Sequence, residues 1–170
     1  MKRELVKNIG QVKKLEMPVD WCNLSPERKL DHAPYIIEYA PVKNTGVTLT
    51  FYYRGKRIDN QSGQDFLRVL KEPPHQVSAA DKELIEMVIR DASVDEWFDT
   101  YSIYTEKLNG RPVLFLDGVW RKSNLRTLGL FIDTDKTGTA VQELHFSAPA
   151  EIFGDYLEEA MSALESIKWK

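Results

Sequence analysis

Pro149-Ala-Glu-Ile-Phe-Gly-Asp-Tyr-Leu-Glu-Glu-Ala-Met-Ser-Ala-Leu-Glu-Ser-Ile167 decides the reading of this chain. Ile152, Phe153, Tyr156, Leu157, Ala160, Met161, Leu164 and Ile167 recur at steps of three and four, the period of one helix face. Asp155, Glu158, Glu159 and Glu165 fall mostly elsewhere on the wheel. Pro149 suits a first helical turn, where its missing N–H costs nothing, and Glu151 suits the positive end of the helix dipole. The spacing predicts a helix over 149–167 with a stripe wide enough to cover a sheet.

The residues before it supply that sheet. Three strands are predicted, Pro112–Asp117, Leu125–Asp133 and Ala140–Ser147. Val113-Leu-Phe-Leu116 is apolar without a break, as expected of a strand buried on both faces. Leu128, Leu130 and Ile132 alternate with Thr127, Gly129 and Phe131; Leu144 and Phe146 alternate with Glu143 and His145. Asp133-Thr-Asp-Lys-Thr-Gly-Thr139 is short and rich in turn formers, so the last two strands form an antiparallel hairpin. Asn109-Gly110 marks another hairpin, joining a strand over Tyr101–Leu108 to Pro112.

The first half is less regular. Leu5, Val6, Ile9, Val12 and Leu15 predict a short helix within 2–16, although Gly10 interrupts it, and residues 17–34 read as loop. Residues 1–34 are thus an arm preceding one α+β domain at 35–170. Tyr35–Ala40 and Gly46–Arg54 are strands, with Arg54-Gly-Lys-Arg57 as a solvated basic tip. Helices begin near Ser62, stopped by Pro73-Pro74, and at Ser78, where Asp81 takes the capping-box position. Asp95-Glu-Trp-Phe98 adds one more turn. The whole predicts a central, mostly antiparallel sheet with helices on both faces.

Composition narrows the function classes. The 170 residues carry a net charge of −3, against the basic balance of a general nucleic-acid binder. A single cysteine, Cys22, forbids an intramolecular disulfide and permits a reducing compartment. No apolar run follows the charged N-terminus and none is long enough to span a bilayer, which predicts a cytoplasmic protein.

Chemical motifs are sparse. Asp133-Thr-Asp-Lys-Thr-Gly138 resembles the opening of a calcium-binding EF-hand loop, but position twelve is Leu144 and strands flank it, so a plain turn is favoured over a metal site. His32, His75 and His145 have no metal spacing, and no P-loop, dinucleotide fingerprint or serine elbow occurs, so no cofactor is implied. Glu143 and His145 share a strand face at i, i+2; the pair suits a metal or a proton shuttle, and is more often a polar pair on a half-exposed sheet. Asp95, Glu96 and Asp99 surround Trp97 and read as solvated carboxylates. Trp120 and Arg121, in a loop between core strands, are the kind of group that anchors an interface, set against a tryptophan folded back on the sheet edge.

Gly110-Arg-Pro-Val-Leu-Phe-Leu116, Leu128-Gly-Leu-Phe-Ile132, Val141-Gln-Glu-Leu-His-Phe-Ser-Ala-Pro-Ala-Glu-Ile-Phe153 and Ala163-Leu-Glu-Ser-Ile-Lys-Trp169 together resemble the PsbP/Mog1/DcrB group, with Ser166-Ile167 where Ser-Phe is usual. The resemblance covers about residues 101–169. It implies an α-β-α sandwich, and a group of oxygen-evolving-complex subunits, a Ran-binding nuclear transport factor and chaperones rather than an enzyme class; it carries over no site residue. The expected function is a non-catalytic binding, assembly or chaperone-type module with a protein partner, using Trp120, Arg121, Glu143 and His145. The alternatives are a small enzyme using Glu143 and His145, or an immunity-type inhibitor.

Overall fold

The computed structural model describes residues 3–26, 36–90 and 96–170, apart from the side chain of Arg54. In chain order these form β1 (Arg3–Ile9), β2 (Val12–Pro18), β3 (Trp21–Asn23), β4 (Ile36–Pro41), β5 (Thr48–Arg57), α1 (Asn60–Lys71), α2 (Ala79–Leu84), α3 (Glu86–Ile89), β6 (Phe98–Leu108), β7 (Arg111–Trp120), β8 (Leu125–Asp133), β9 (Ala140–Pro149), α4 (Phe153–Glu165) and β10 (Lys168–Trp169). The class is α+β. Seven strands make one antiparallel sheet in the order β3-β4-β5-β9-β8-β7-β6, and β1-β2-β10 make a second. No described helix is long and apolar enough to cross a membrane.

Two apolar clusters follow from strand alternation. Leu49 and Phe51 of β5, Leu144 and Phe146 of β9, Leu128, Leu130 and Ile132 of β8, and Val113 and Phe115 of β7 belong to the first. Phe153, Ala160, Ala163 and Leu164 of α4 and Val6, Ile9, Val12 and Leu15 of the β1–β2 hairpin complete it. The intervening Leu114 and Leu116, with Phe131 and Val141, join Phe66, Val69, Ile85 and Val88 from α1 to α3 in the second. That is why 113–116 is apolar throughout: all four are buried, odd residues in one cluster and even residues in the other.

The α4 stripe lies where its period puts it, but the helix starts later than expected. Pro149 ends β9 opposite Leu125, and the first helical turn begins at Phe153. Phe153 is 2 % exposed and its ring centroid lies 4.9 Å from that of Phe146. After Ser166 the chain returns as β10, pairing Lys168 with Lys14 and Trp169 with Val12.

The N-terminal segment corrects the helix expected within 2–16. It is a β-hairpin, pairing Val6 with Leu15 and Ile9 with Val12. Asn8 takes a left-handed φ of 62°, which interrupts strand alternation and turns Val6 and Ile9, three apart, both inward. In β1 the three-residue spacing that imitates a helix goes with that kink; in β2 Val12 and Leu15 flank Lys13 and Lys14, and the β10 register skips Lys13. Arg54-Gly-Lys-Arg57 is likewise no tip: β5 continues through it, past a register shift, to pair Lys56 with Val141 and Arg57 with Ala140. Gly55, at φ 83°, supplies the left-handed residue of the shift. The capping pattern at Ser78 is present, its side chain accepting from the Asp81 N–H, whereas α1 is capped by Asp59 rather than Ser62.

Candidate functional site

Strand register decides what meets on the face opposite α4. Reading across the sheet, Ile36, Tyr52, Glu143, Phe131 and Leu114 form one row. Glu38, Thr50, His145, Gly129 and Leu116 form the next, and Thr48, Ser147, Thr127, Gly118 and Thr100 a third. The α1–α3 cluster takes Leu114, Leu116, Phe131 and Val141 from these rows and their flank. Beside it, over Thr127, Gly129, Glu143 and His145, the face opens into a cavity of about 610 Å³.

The floor is a carboxylate and an imidazole. Glu143 Oε2 lies 3.2 Å from His145 Nε2, with side chains only 15 % and 16 % exposed. The approach is close but off the hydrogen-bonding direction, since His145 Nε2 is buried without a hydrogen-bond partner among the described residues. Lys56 Nζ stands 3.9 Å from Glu143 Oε1. It donates to the carbonyls of Val88, at 3.2 Å, and Arg90, at 2.5 Å, and so ties the end of α3 to the sheet. The His145 ring lies at a tilt between Tyr52 and Phe131, centroids 5.0 and 6.0 Å away. Gly129 keeps the floor open, for a Cβ there would stand 3.1 Å from the Phe131 ring and 3.5 Å from His145 Cδ2.

The far wall is aromatic. Phe98 and Trp120 meet edge to face at 4.8 Å, and Trp97 beside them is 77 % exposed. This wall needs Gly118. A Cβ there would sit 2.4 Å from the Asp99 carbonyl oxygen and 2.5 Å from the Phe98 ring. The irregular β6–β7 register between Thr100 and Ser102 brings that backbone in. Two polar clamps hold the wall. Arg121 grips Asp99 with Nε at 3.0 Å and Nη2 at 2.5 Å, and Glu96 accepts the Ser123 N–H and hydroxyl. Those bonds hold both carboxyls below their ordinary range: the Ser123 N–H is the main cause at Glu96, and the Arg121 guanidinium at Asp99.

Trp120 and the Glu143–His145 pair, two distinct candidates in the sequence, therefore line one cavity. Arg121 turns away from it to clamp Asp99. The sequence pattern puts Lys56 in a solvated tip, Phe98 in a helical turn and Gly129 in a strand without a site role; only the register of β5, β9, β8 and β6–β7 assembles them around the floor and wall, with Phe98 opening β6. His75 serves the edge strand instead, its Nδ1 lying 2.8 Å from Pro73 O and 3.1 Å from Thr105 Oγ1. Cys22 is half-buried in β3, opposite Ala40. His32 and Asp95 lie outside the described residues.

The EF-hand-like turn spends its oxygens on itself and on Arg57, whose Nη1 lies 3.4 Å from Asp135 Oδ2. Asp133 Oδ1 accepts the Gly138 N–H, and Asp135 accepts the Thr137 N–H and the Thr139 hydroxyl. Among the described residues, no three His, Cys, Asp or Glu side chains converge as a metal site requires.

No protein-family model and no curated protein matches the sequence.

Proposed function

We propose that this chain is a non-catalytic binding module that receives an anchoring group of a protein partner in the cavity beneath Trp97 and Trp120. The carrying observation is Trp97. An indole 77 % exposed beside a concave aromatic wall leaves apolar surface that a partner would cover. Photo-crosslinking from position 97 in cells tests it, with position 42, the exposed Val42 of a distant turn, as control. One stoichiometric partner captured from 97 and not from 42, and lost when Gly129→Val fills the floor, is the expected result. Equal capture from both positions, or from neither, refutes the assignment.

A second reading is a small enzyme, and the specific observation favouring it is the half-buried Glu143–His145 contact at the base of a concave site. Turnover of a metabolite extract, followed by mass spectrometry and abolished by both Glu143→Gln and His145→Gln, would establish it. Identical profiles from wild type and both variants would exclude it.

The α-β-α sandwich and kinship with the PsbP/Mog1/DcrB group belong to the same proposal. Support comes from the order of paired strands and long helix, and from separate clusters on the two faces of the sheet. A cytoplasmic chaperone or immunity-type role fits a small acidic chain with one cysteine. Co-expression with the captured partner distinguishes the two: a chaperone raises its soluble yield, whereas an immunity-type inhibitor suppresses its toxicity.

A further inference from the structure

A second concavity, of about 940 Å³, lies away from the aromatic cavity. It runs between the C-terminal end of α1 and Pro73-Pro74 on one side and the β6–β7 and β8–β9 turns on the other, with Trp169 and Lys170 lining it as well. In a chain of net charge −3 its lining is strongly cationic: Lys71, Lys107, Arg111, Lys136 and Lys170 against Glu72 and Asp133.

Both carboxylates are already engaged. Glu72 lies 3.2 Å from Arg68 Nη1 and 3.3 Å from His75 Nε2. Asp133 accepts the Gly138 N–H inside its own turn. The cations are not matched in this way. Lys71, Lys107, Lys136 and Lys170 are exposed, and none makes a salt bridge among the described residues.

Arg111 is the more telling group. Its guanidinium is half-buried, yet among the described residues it donates only to neutral oxygens, Gln11 Oε1 at 3.2 Å and the Asp133 carbonyl at 2.5 Å. It lies over the Trp169 ring, 5.3 Å from the centroid. Burial pulls its pKa below the usual guanidinium value, outweighing the opposing pull of the Asp133 carboxylate. A fixed, partly desolvated positive charge that makes no salt bridge among the described residues stabilises an anion brought to it.

We infer that this groove binds an acidic peptide segment, with Arg111 as the central carboxylate anchor and Lys71, Lys107 and Lys136 along its walls. Charge complementarity selects the occupant. An extended chain bearing several Asp or Glu side chains matches separate cations spread over several elements, and Pro73, Pro74 and Pro112 give its backbone an apolar bed. Single-stranded nucleic acid shares the charge but needs an open aromatic platform for its bases. Trp169 offers a poor one: Arg111 occupies one ring face and the indole N–H is spent on Leu108 O at 2.8 Å.

Fluorescence anisotropy on the whole chain tests this with fluorescein-labelled octaglutamate, octalysine and oligothymidylate at low salt. Octaglutamate should bind, weakening as salt screens the charges, and octalysine should not. Lys107→Glu/Lys136→Glu should weaken octaglutamate about tenfold or more, two exposed contacts turned repulsive. Arg111→Gln should weaken it as well; Lys107→Gln/Lys136→Gln, with an unchanged melting temperature, guards against a folding artefact. No octaglutamate binding, binding indifferent to these substitutions, or oligothymidylate binding as tightly as octaglutamate would each overturn the assignment.

Discussion

Gly138, in the turn between β8 and β9, lies against Gly63 in α1 so closely that a Cβ on Gly138 would stand 2.1 Å from the Gly63 carbonyl oxygen. With Ile58 N–H donating to Thr139 O at 3.0 Å, this contact pins the turn to the start of the helix. Gly138 is also left-handed, at φ 76°, so alanine meets both a steric and a conformational penalty. Gly138→Ala should cost about 2–4 kcal/mol. Gly63→Ala should cost less, because its Cβ meets its nearest neighbour only at 3.0 Å and gains helix propensity. Urea titrations of the two variants read the order; a wild-type midpoint for Gly138→Ala would mean that the turn does not dock.

The same turn carries an acid-sensitive carboxylate. Burial works against ionisation of Asp135, but bonds from Thr137 and Thr139 outweigh it and bring its pKa to about 2. Its pKa is depressed on folding, so its contribution is fully present above the unfolded value of about 3.8 and disappears as pH falls toward 2. Its neighbour Asp133 is shifted the other way, upward, chiefly by desolvation. Asp135→Asn should therefore lose on the order of 1 kcal/mol at neutral pH and show a flatter stability profile between pH 4 and 2. Asp133→Asn keeps the acceptor for Gly138 and sheds a desolvated charge, so it should match or exceed wild-type stability at pH 7. Urea midpoints across pH 2–7 would reveal the opposite signs; equal effects from both variants would contradict them.

Lys56 makes a prediction that separates anchoring from ion pairing. Its ammonium is hydrogen-bonded to the Val88 and Arg90 carbonyls but stands 3.9 Å from Glu143. Lys56→Met should destabilise by about 1–2 kcal/mol through the freed carbonyls, and should speed amide exchange in α3. A double-mutant cycle with Glu143→Gln should return a coupling below about 1 kcal/mol, as for a loose, partly wet pair. A larger coupling would make Lys56 primarily the counter-ion of Glu143.

Much of this architecture is legible before any coordinates. The unbroken 113–116 run, the alternation through 141–146 and the helical stripe of α4 each reflect a single buried face, and local period reports such faces directly. The N-terminal hairpin is not legible, because Asn8 in β1 and the irregular register at Lys13 in β2 convert a strand period of two into an apparent period of three. The cavity lies between these cases. Trp120, Glu143 and His145 are visible as chemistry, but Lys56 and Phe98 join them only through a register shift in β5 and another in β6. No local pattern encodes those shifts beyond a glycine, Gly55 in the first and Gly118 opposite the second.

On the opposite face Arg126 cannot be exchanged for lysine at little cost. Its Nε and Nη2 reach the two oxygens of Asp117 at 3.0 and 2.8 Å, a planar fork on a carboxylate. Its guanidinium carbon also lies 4.4 Å from the centre of the Phe153 ring and 5.5 Å from that of Tyr101. Lysine keeps the charge but loses the second hydrogen bond and the flat face set against two rings. Arg126→Lys should cost about 1–2 kcal/mol, with Arg126→Met similar because a flexible apolar chain retains packing on Phe153. The fork and the ring contacts separate in double-mutant cycles. Coupling to Asp117→Asn should fall in high salt, whereas coupling to Phe153→Leu should persist, since dispersion is not screened. Full stability in Arg126→Lys would show that charge alone, and not the fork, joins β7 and β8 to the first turn of α4.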